Sequence, residues 1–384
     1  MIDAAGRPEI APQTCTVAAT HHWLVRRRGG EKVFEALLEI LPPRTPIYTL
    51  VYDPAGYDDD AALSGHSIHT SWLQRIPGAR RHYPKLLPLM PAAARALRLP
   101  NVDLVVCSDA AIAKAMTPHP RSRVVCYCHS PMRYVWDLAE VYGRTLPIFL
   151  RPLWPAVCAR QRAADAAAAD RVDIFVANSN HVADRIRRAY GRESTVVYPP
   201  VEIPEAPPPA SAKRERFFLC VGHHVAYKRL DLAVEATRMI DRELIVIGEG
   251  PGVEALRRGP PPHVRLLGWQ PDEVVRDHYR RAAALLFPGE EDFGIVPVEA
   301  MAHGCPVIAF GVGGAAETVI HARTGVLFRA QVPDQVVEAI RTAERISFDE
   351  MELYERARQF SHPRFLAAMR AVCSAALDSE CRSV

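Results

Sequence analysis

Strand-length apolar runs alternate with helical stretches through the first half of the chain. The alternation pauses in a proline-crowded segment and then begins again. Together these observations predict an α/β protein of two Rossmann-like, doubly wound domains facing a cleft, each a parallel sheet with helices on both faces. A length of 384 residues suits two domains, since domains average roughly 150 residues.

Strands buried on both faces read as continuous apolar runs. In the first half such runs cover residues 16–19, 47–52, 104–107, 124–128, 174–177 and 195–198, with helices over 31–40 and 181–190. Pro199, Pro200, Pro204, Pro207, Pro208 and Pro209 then crowd together. Proline fixes φ and removes a donor, so a stiff linker is expected. Strands resume over 217–221, 244–247, 264–267, 284–287 and 307–310, with helices over 230–240, 271–281, 296–303 and 333–343. The expected division is a first domain over 1–200, a linker over 201–212 and a second domain over 213–360. A helical segment over 361–384 is expected to cross back and brace the first domain.

The chain is 49% hydrophobic and 24% charged, an ordinary globular composition. Basic residues outnumber acidic ones by 47 to 44, a net charge of +3 that gives no ground for nucleic acid as a partner. The nine cysteines lack CxxC or zinc-finger spacing; buried, reduced thiols in a cytoplasmic protein are the plainer expectation. The opening residues lack a charged-then-apolar leader. No apolar run reaches the roughly 18 residues of a transmembrane helix.

The densest motif runs from Pro288 to Gly304. A strand ends near Phe287, a loop carries Glu291, and Pro297 suits the first turn of a helix that carries Glu299. Gly304 suits the position after its C-terminus. The backbone N–H groups of Phe293, Gly294 and Ile295 fall at the helix mouth, at the positive end of its dipole, a place suited to hydroxyls and phosphates. Glu291 and Glu299 can each accept hydrogen bonds from vicinal hydroxyls of a sugar or a ribose. A solvated acidic loop with one helix glutamate is the plain structural alternative. The continuation Glu299-Ala300-Met301-Ala302 and then Gly313-Gly314-Ala315-Ala316-Glu317 argues against it.

That segment resembles the signature of the GT-B-fold retaining glycosyltransferases of family 4, and the resemblance covers most of the chain. It implies that Glu299 binds the ribose of a donor nucleotide, and that Glu291 and the amides of Phe293, Gly294 and Ile295 hold the donor sugar. Upstream, Gly222-His223-His224-Val225-Ala226-Tyr227-Lys228-Arg229 matches the family's basic pair. Lys228 stands for the lysine that neutralises the diphosphate, but His223 replaces the usual arginine. His223 itself or Arg229 is left to make the second phosphate contact. Gly29-Gly30 resembles the family's glycine loop near donor phosphates and acceptor. His129, at the end of a buried strand, matches a histidine that faces the donor sugar. The Pro131-Met132-Arg133-Tyr134-Val135-Trp136-Asp137 continuation is similar to a bacterial subgroup of mannosyltransferase-like enzymes. For Asn178, Ser179 and Arg185 two readings stay open: a helix cap with a surface arginine, or ligand groups.

The resemblance implies same-face transfer of a hexose, with mannose from GDP-mannose preferred, to a lipid-linked or saccharide acceptor. The catalytic set is His129, Lys228 and Glu291, with the leaving phosphate helping to deprotonate the acceptor. No metal and no cofactor beyond the nucleotide-sugar co-substrate is expected. Asp58-Asp59-Asp60 reads as a solvated loop, and a glycosidase-style carboxylate pair is the weaker interpretation. The stretch from Trp72 to Met90 mixes basic and apolar residues. It suits either a peripheral contact with an anionic membrane on the inner face or an inward-packed loop. The alternatives are a UDP-sugar donor, a nucleotide-sugar epimerase and a non-catalytic sugar-nucleotide-binding module.

Overall fold

The computed structural model describes residues 15–57, 61–208 and 214–378. The opening residues read for a leader, the Asp58-Asp59-Asp60 loop, residues 209–212 of the linker with residue 213 after it, and the last six residues of the C-terminal segment lie outside them. The chain divides into two units. One runs to Tyr198 and resumes at Phe365, and the other is Pro199–Arg364.

The first unit holds a seven-stranded parallel sheet built from β1 Val17–His21, β2 Ile47–Thr49, β3 Ile68–Thr70, β4 Leu104–Asp109, β5 Arg123–Cys128, β6 Ile174–Ala177 and β7 Ser194–Val196. Its spatial order is β3-β2-β1-β4-β5-β6-β7, so strand order reverses between β1 and β4. All five residues of β1 are buried, as a strand between two helical layers requires. The β1–β4 register sets His21 opposite Ser108, and β4–β5 sets Asp109 opposite Cys128. The strand ends therefore deliver His21, Ser108 and, one residue past β5, His129 to one edge of the sheet.

Helix α1 Gly29–Leu38 follows β1, α2 Trp154–Ala169 precedes β6, and α3 Asn180–Tyr190 follows β6. The paired glycines are not a loop: Gly29 and Gly30 are the first residues of α1. The Glu31 carboxylate accepts the Arg28 N–H at 3.0 Å, half of a capping box. Ser179 caps α3, its hydroxyl accepting from the Val182 N–H at 3.0 Å.

The second unit has a six-stranded parallel sheet: β8 Phe218–Val221, β9 Leu244–Ile247, β10 Val264–Gly268, β11 Ala284–Phe287, β12 Val307–Phe310 and β13 Gly325–Phe328. The order β10-β9-β8-β11-β12-β13 reverses between β8 and β11. Helix α4 Leu230–Met239 follows β8, α5 Ile295–Ala302 follows β11, and α6 Glu350–Arg358 lies near the end of the unit. The described part of the proline-rich segment packs within this unit. Val201 bridges to Ser361, and the Tyr354 hydroxyl donates to the Pro204 carbonyl at 2.7 Å. The last helix, α7 His362–Asp378, places Phe365, Met369, Cys373 and Ala376 in the apolar core that also holds Val17, Ala19 and Phe34.

The sequence reading missed β3 and β13 and ran the 47–52 strand too long. The Trp72–Met90 stretch is a chain of short 3-10 and α turns, with Leu73 and Met90 buried and Trp72 and Leu89 exposed.

Candidate functional site

In open α/β sheets ligands bind beyond the carboxyl ends of the strands where strand order reverses. Each unit carries its sequence-flagged residues at that place.

In the second unit the loop after β8 turns through Gly222, at φ +131°, and a short 3-10 turn ends at Lys228. The loop after β11 comes so close that a Cβ on Gly289 would lie 2.5 Å from Lys228 Cα. This approach pairs Lys228 Nζ with Glu291 Oε1 at 2.8 Å, both side chains about a fifth exposed (19% and 18%). A Cβ built on Gly222 would stand 3.5 Å from the same Nζ, so the lysine folds over the bare glycine. From the other side, the Gly314 N–H donates to the Glu291 carbonyl at 2.8 Å. Gly313 and Gly314 pack directly on the backbone of Glu291 and Phe293.

Gly294, at φ +84°, is the N-cap of α5, and Ile295 is its first residue. Phe293 is buried and its ring meets Phe360 edge-on at 5.5 Å. Glu299, the fifth of the eight residues of α5, is half-buried, and the Tyr279 hydroxyl donates to its Oε2 at 3.3 Å. Burial first, and then the Glu299 carboxylate, hold the Tyr279 hydroxyl well above its usual range, so it serves as a donor. Tyr279 was not singled out from the sequence.

The two substitutes for the missing arginine behave differently. Arg229, in the left-handed region at φ 53°, caps α4 and ties its guanidinium to Asp231 at 2.9 Å. That contact turns it toward its own helix. His223 is exposed, while its neighbour His224 is buried with Nε2 3.0 Å from the Ile247 carbonyl.

In the first unit the reversal point is occupied by histidines. His21 Nδ1 lies 3.0 Å from Ser108 Oγ, and Ser108 Oγ lies 2.8 Å from His129 Nε2. His21 Nε2 is 3.8 Å from Glu31 Oε1. His129 is anchored through its backbone, its N–H donating to Asp109 O at 2.8 Å and its carbonyl accepting from Asn178 Nδ2 at 2.9 Å. A Cβ on Gly30 would touch His129 Cε1 at 3.9 Å, so the start of α1 adjoins the ring. Burial is the main cause pushing His129 down to about 4 and His21 and His22 down to about 3. All three are neutral imidazoles near pH 7. His21, His22 and Glu31 are also the group of described residues able to approach a metal ion together, their ligand atoms lying within 4.8 Å of one another.

The Pro131–Asp137 motif is largely scaffold. Met132 and Val135 are fully buried, and Trp136 Nε1 donates to Asp165 at 2.8 Å. Asp165 also pairs with the buried Lys114, whose Nζ lies 2.7 Å from Asp109. This buried network braces the ends of β4 and β5 beneath His129. Arg185 is no surface arginine: it is buried and reaches Asp137 at 3.2 Å and Ser130 at 3.3 Å. Asn178 and Ser179 are both committed to local structure. All eight cysteines among the described residues are free thiols. A cavity of about 490 Å³ lined by Arg121, Arg123, Arg171 and Asp173 lies at the amino-terminal ends of β5 and β6 and shares no residue with either constellation.

Comparison with known proteins places these features in a family. The model described as Glycosyltransferase Family 4 matches residues 27–204, and Glycosyl transferases group 1 matches residues 204–360. A GDP-mannose-dependent alpha-(1-6)-phosphatidylinositol monomannoside mannosyltransferase of Mycobacterium tuberculosis is 30% identical over 201 residues. That match takes in 44% of this chain and 52% of the relative, so the chain spans about half the length of that relative. The enzyme of the same name from Mycolicibacterium smegmatis is 28% identical over 366 residues, with 84% of this chain and 86% of the relative covered. Among solved structures, Anabaena HepE in complex with UDP-glucose superposes with a TM-score of 0.66 at 17% identity, covering 94% of this chain and 99% of that one. With the two family models in tandem and two reversed parallel sheets of this kind, the chain belongs to the family 4 glycosyltransferases of the GT-B fold.

Proposed function

We propose that the chain is a retaining hexosyltransferase that moves mannose from GDP-mannose to a lipid-linked or saccharide acceptor. The observation that carries this reading is the Lys228–Glu291 pair at 2.8 Å, set beside the mouth of the helix that bears Glu299. In one unit this brings together a cation for a diphosphate, a helix N-terminus for anionic or hydroxyl oxygens, and two carboxylates that accept hydrogen bonds. Lys228 and the α5 dipole stabilise the departing diphosphate, Glu291 and the amides after it hold the hexose, and Glu299 holds the ribose. The family resemblance assigns His129, which has Gly30 beside it in the first unit, to the donor sugar as well, with Gly29 and Gly30 assigned to the donor. Positive charge at the phosphates comes from the chain itself, so turnover is expected to persist in EDTA. The relatives named as GDP-mannose-dependent mannosyltransferases support the donor and a lipid-borne acceptor. The UDP-glucose held by HepE supports the alternative of a UDP-sugar donor.

No helix among the described residues is long and apolar enough to cross a membrane. A cytoplasmic enzyme touching the inner leaflet through the basic, partly exposed Trp72–Met90 stretch is the associated proposal.

A thermal-shift panel of nucleotides and nucleotide sugars tests the donor, because a specific ligand stabilises by mass action, about 2.7 kcal/mol at a hundredfold excess over Kd. GDP-mannose is expected to raise Tm and to be consumed when an acceptor is present. A response to UDP-sugars alone would overturn the donor assignment. Formation of an epimer, or binding without turnover, would point to the other two readings. Glu299→Ala is expected to abolish the shift; an unchanged shift contradicts the ribose assignment.

A further inference from the structure

We propose that Glu31, His21 and Ser108 form a relay of positioning residues that fixes the tautomer of His129, so that His129 meets its ligand as a hydrogen-bond acceptor at Nδ1. The inference rests on the assignment of His129 to the sugar, but its test does not require any substrate.

The geometry is a chain of four side chains within the first unit. His129 Nε2 is 2.8 Å from Ser108 Oγ, which is 3.0 Å from His21 Nδ1. His21 Nε2 is a fully buried atom with no hydrogen-bond partner, and it faces Glu31 Oε1 at 3.8 Å. That distance is too long for a hydrogen bond, but in a dry site it is short enough for charge to decide where a proton sits. The carboxylate is itself held as an acceptor. Its other oxygen takes the Arg28 N–H at 3.0 Å, at the positive end of α1.

The direction of the chain follows from counting protons. His21 is 0% exposed, and burial, followed by the nearby His129, keeps it neutral near pH 7 with its value down at about 3. It therefore carries one ring proton. On Nε2 that proton points at the Glu31 carboxylate and is attracted. On Nδ1 it would leave a lone pair facing an anion. His21 thus protonates at Nε2 and accepts at Nδ1, where Ser108 O–H must donate. Ser108 has a single hydroxyl proton, so its oxygen accepts from His129 Nε2–H. His129 is neutral as well, and its Nδ1 is left with a lone pair. The orientation favoured at each link sets the next, so a carboxylate on α1 biases the hydrogen-bonding character of a ring three side chains away.

A divalent cation would reverse the chain. His21 Nε2, His22 Nδ1 and a Glu31 oxygen are within reach of a common ion. Metal on Nε2 would move the His21 proton to Nδ1, turn Ser108 round and leave His129 protonated at Nδ1.

The test is a long-range ¹H–¹⁵N correlation spectrum of the full-length protein labelled in its histidines, at pH 7.5. His129→Asn and His21→Asn variants identify the signals. The wild type is expected to show His21 and His129 both protonated at Nε2. Glu31→Gln keeps an acceptor for Arg28 and adds a donor facing His21, and it is expected to shift both rings toward the Nδ1-protonated form. Ser108→Ala, a small change, is expected to leave His21 as it is and release His129 to a mixture. In transfer assays Ser108→Ala is expected to lower kcat/KM about tenfold, the worth of one buried hydrogen bond, in a protein that stays folded at the assay temperature. His129 protonated at Nδ1 in the wild type, or one unchanged tautomer across all three proteins, would overturn the relay. Stoichiometric Zn²⁺ shifting the His21 and His22 signals would overturn it too, in favour of a metal site.

Discussion

Gly314→Ala probes the donor loop without touching any proposed ligand group. Gly314 has φ −64°, an ordinary helical value, so backbone strain is not the issue. Space is: a Cβ there would lie 2.2 Å from Phe293 Cα, 2.3 Å from its carbonyl oxygen and 2.5 Å from its carbonyl carbon. These are backbone atoms, and no rotamer relieves the clash. Restoring ordinary contact moves Phe293, or the Gly313–Gly314 turn, by about 1 Å. Overpacking of this kind costs ~1–3 kcal/mol. For a unit of this size that lowers Tm by roughly 2–12 °C. The functional effect should be larger in proportion. The displaced segment carries the Glu291 carbonyl that accepts the Gly314 N–H and the amides that lead into α5, and a misplacement of about 1 Å can cost about a hundredfold in rate. The assay is kcat/KM for donor turnover beside the donor-induced shift in Tm, with Gly259→Ala, where a Cβ meets open space and φ is not positive, as the control for a generic glycine effect. If Gly314→Ala gives a folded protein with wild-type kcat/KM and an undiminished donor shift, the claim that this glycine positions the loop is refuted.

Two further outcomes follow from the same geometry. His223→Arg places a guanidinium where the family pattern has one, on an exposed position beside Gly222. A charge-assisted contact is worth ~1.5–3 kcal/mol, so the donor KM should fall about tenfold or more, and an unchanged KM would show that this position does not reach the phosphates. Acid should destabilise the fold well before its carboxylates titrate. Burial is the leading cause holding His21 and His22 down to about 3 and His129, His224 and His303 down to about 4. The unfolded chain takes up protons near pH 6.5 that the native state refuses, so this stability is complete above that pH and drains away as pH falls toward 4. Calorimetry at pH 7.5, 6.5, 5.5 and 4.5 should show Tm falling progressively below 6.5. A flat profile to pH 5 would mean these rings are hydrated in the native state.

The strands legible in the sequence were those whose burial forces continuous apolarity, and β6, β9, β11 and β12 match residue for residue. The missed strands lack that signal. In β3, Ile-His-Thr is an edge strand with no buried residue. In β13, four residues open on Gly325, where a Cβ would lie 2.0 Å from the Val307 carbonyl; close packing against β12 demanded a residue that reads as a breaker. In the second unit, the loop carrying Glu291 was legible because its glycines and its helix signals are local. The partner of Glu299 was not. Tyr279 sits twenty residues earlier on another helix, and only the packing of that helix brings it across. The histidine chain was hidden for the same reason: Ser108 and His21 are 87 residues apart and meet through the β1–β4 register alone. Arg185 misleads in the opposite way. Its helix carries polar residues all along, and its burial comes from Asp137 and Ser130 beyond β5.

The partners of the two glutamates bear on the competing glycosidase-like reading. A glycosidase pair needs one carboxyl to hold a proton for the leaving group while the other attacks or activates water. Here both carboxylates are supplied with donors. Glu291 faces an ammonium at 2.8 Å, and Glu299 accepts from a tyrosine hydroxyl that burial keeps protonated. A group so placed is a hydrogen-bond acceptor, and neither is arranged to deliver a proton. Lys228 also gains from the pairing. An ammonium left alone in a partly dry loop pays for its desolvation, whereas one paired with Glu291 is held where a diphosphate would arrive. On the proposed function, a bound diphosphate would compete for Lys228 and release Glu291 to the hydroxyls of the sugar. On the proposed reading of this ion pair, Glu291→Gln should weaken sugar recognition while leaving binding of the bare nucleoside diphosphate intact or improved. Equal loss of affinity for GDP and GDP-mannose, measured by calorimetry, would tie Glu291 to the phosphates instead and undo this exchange.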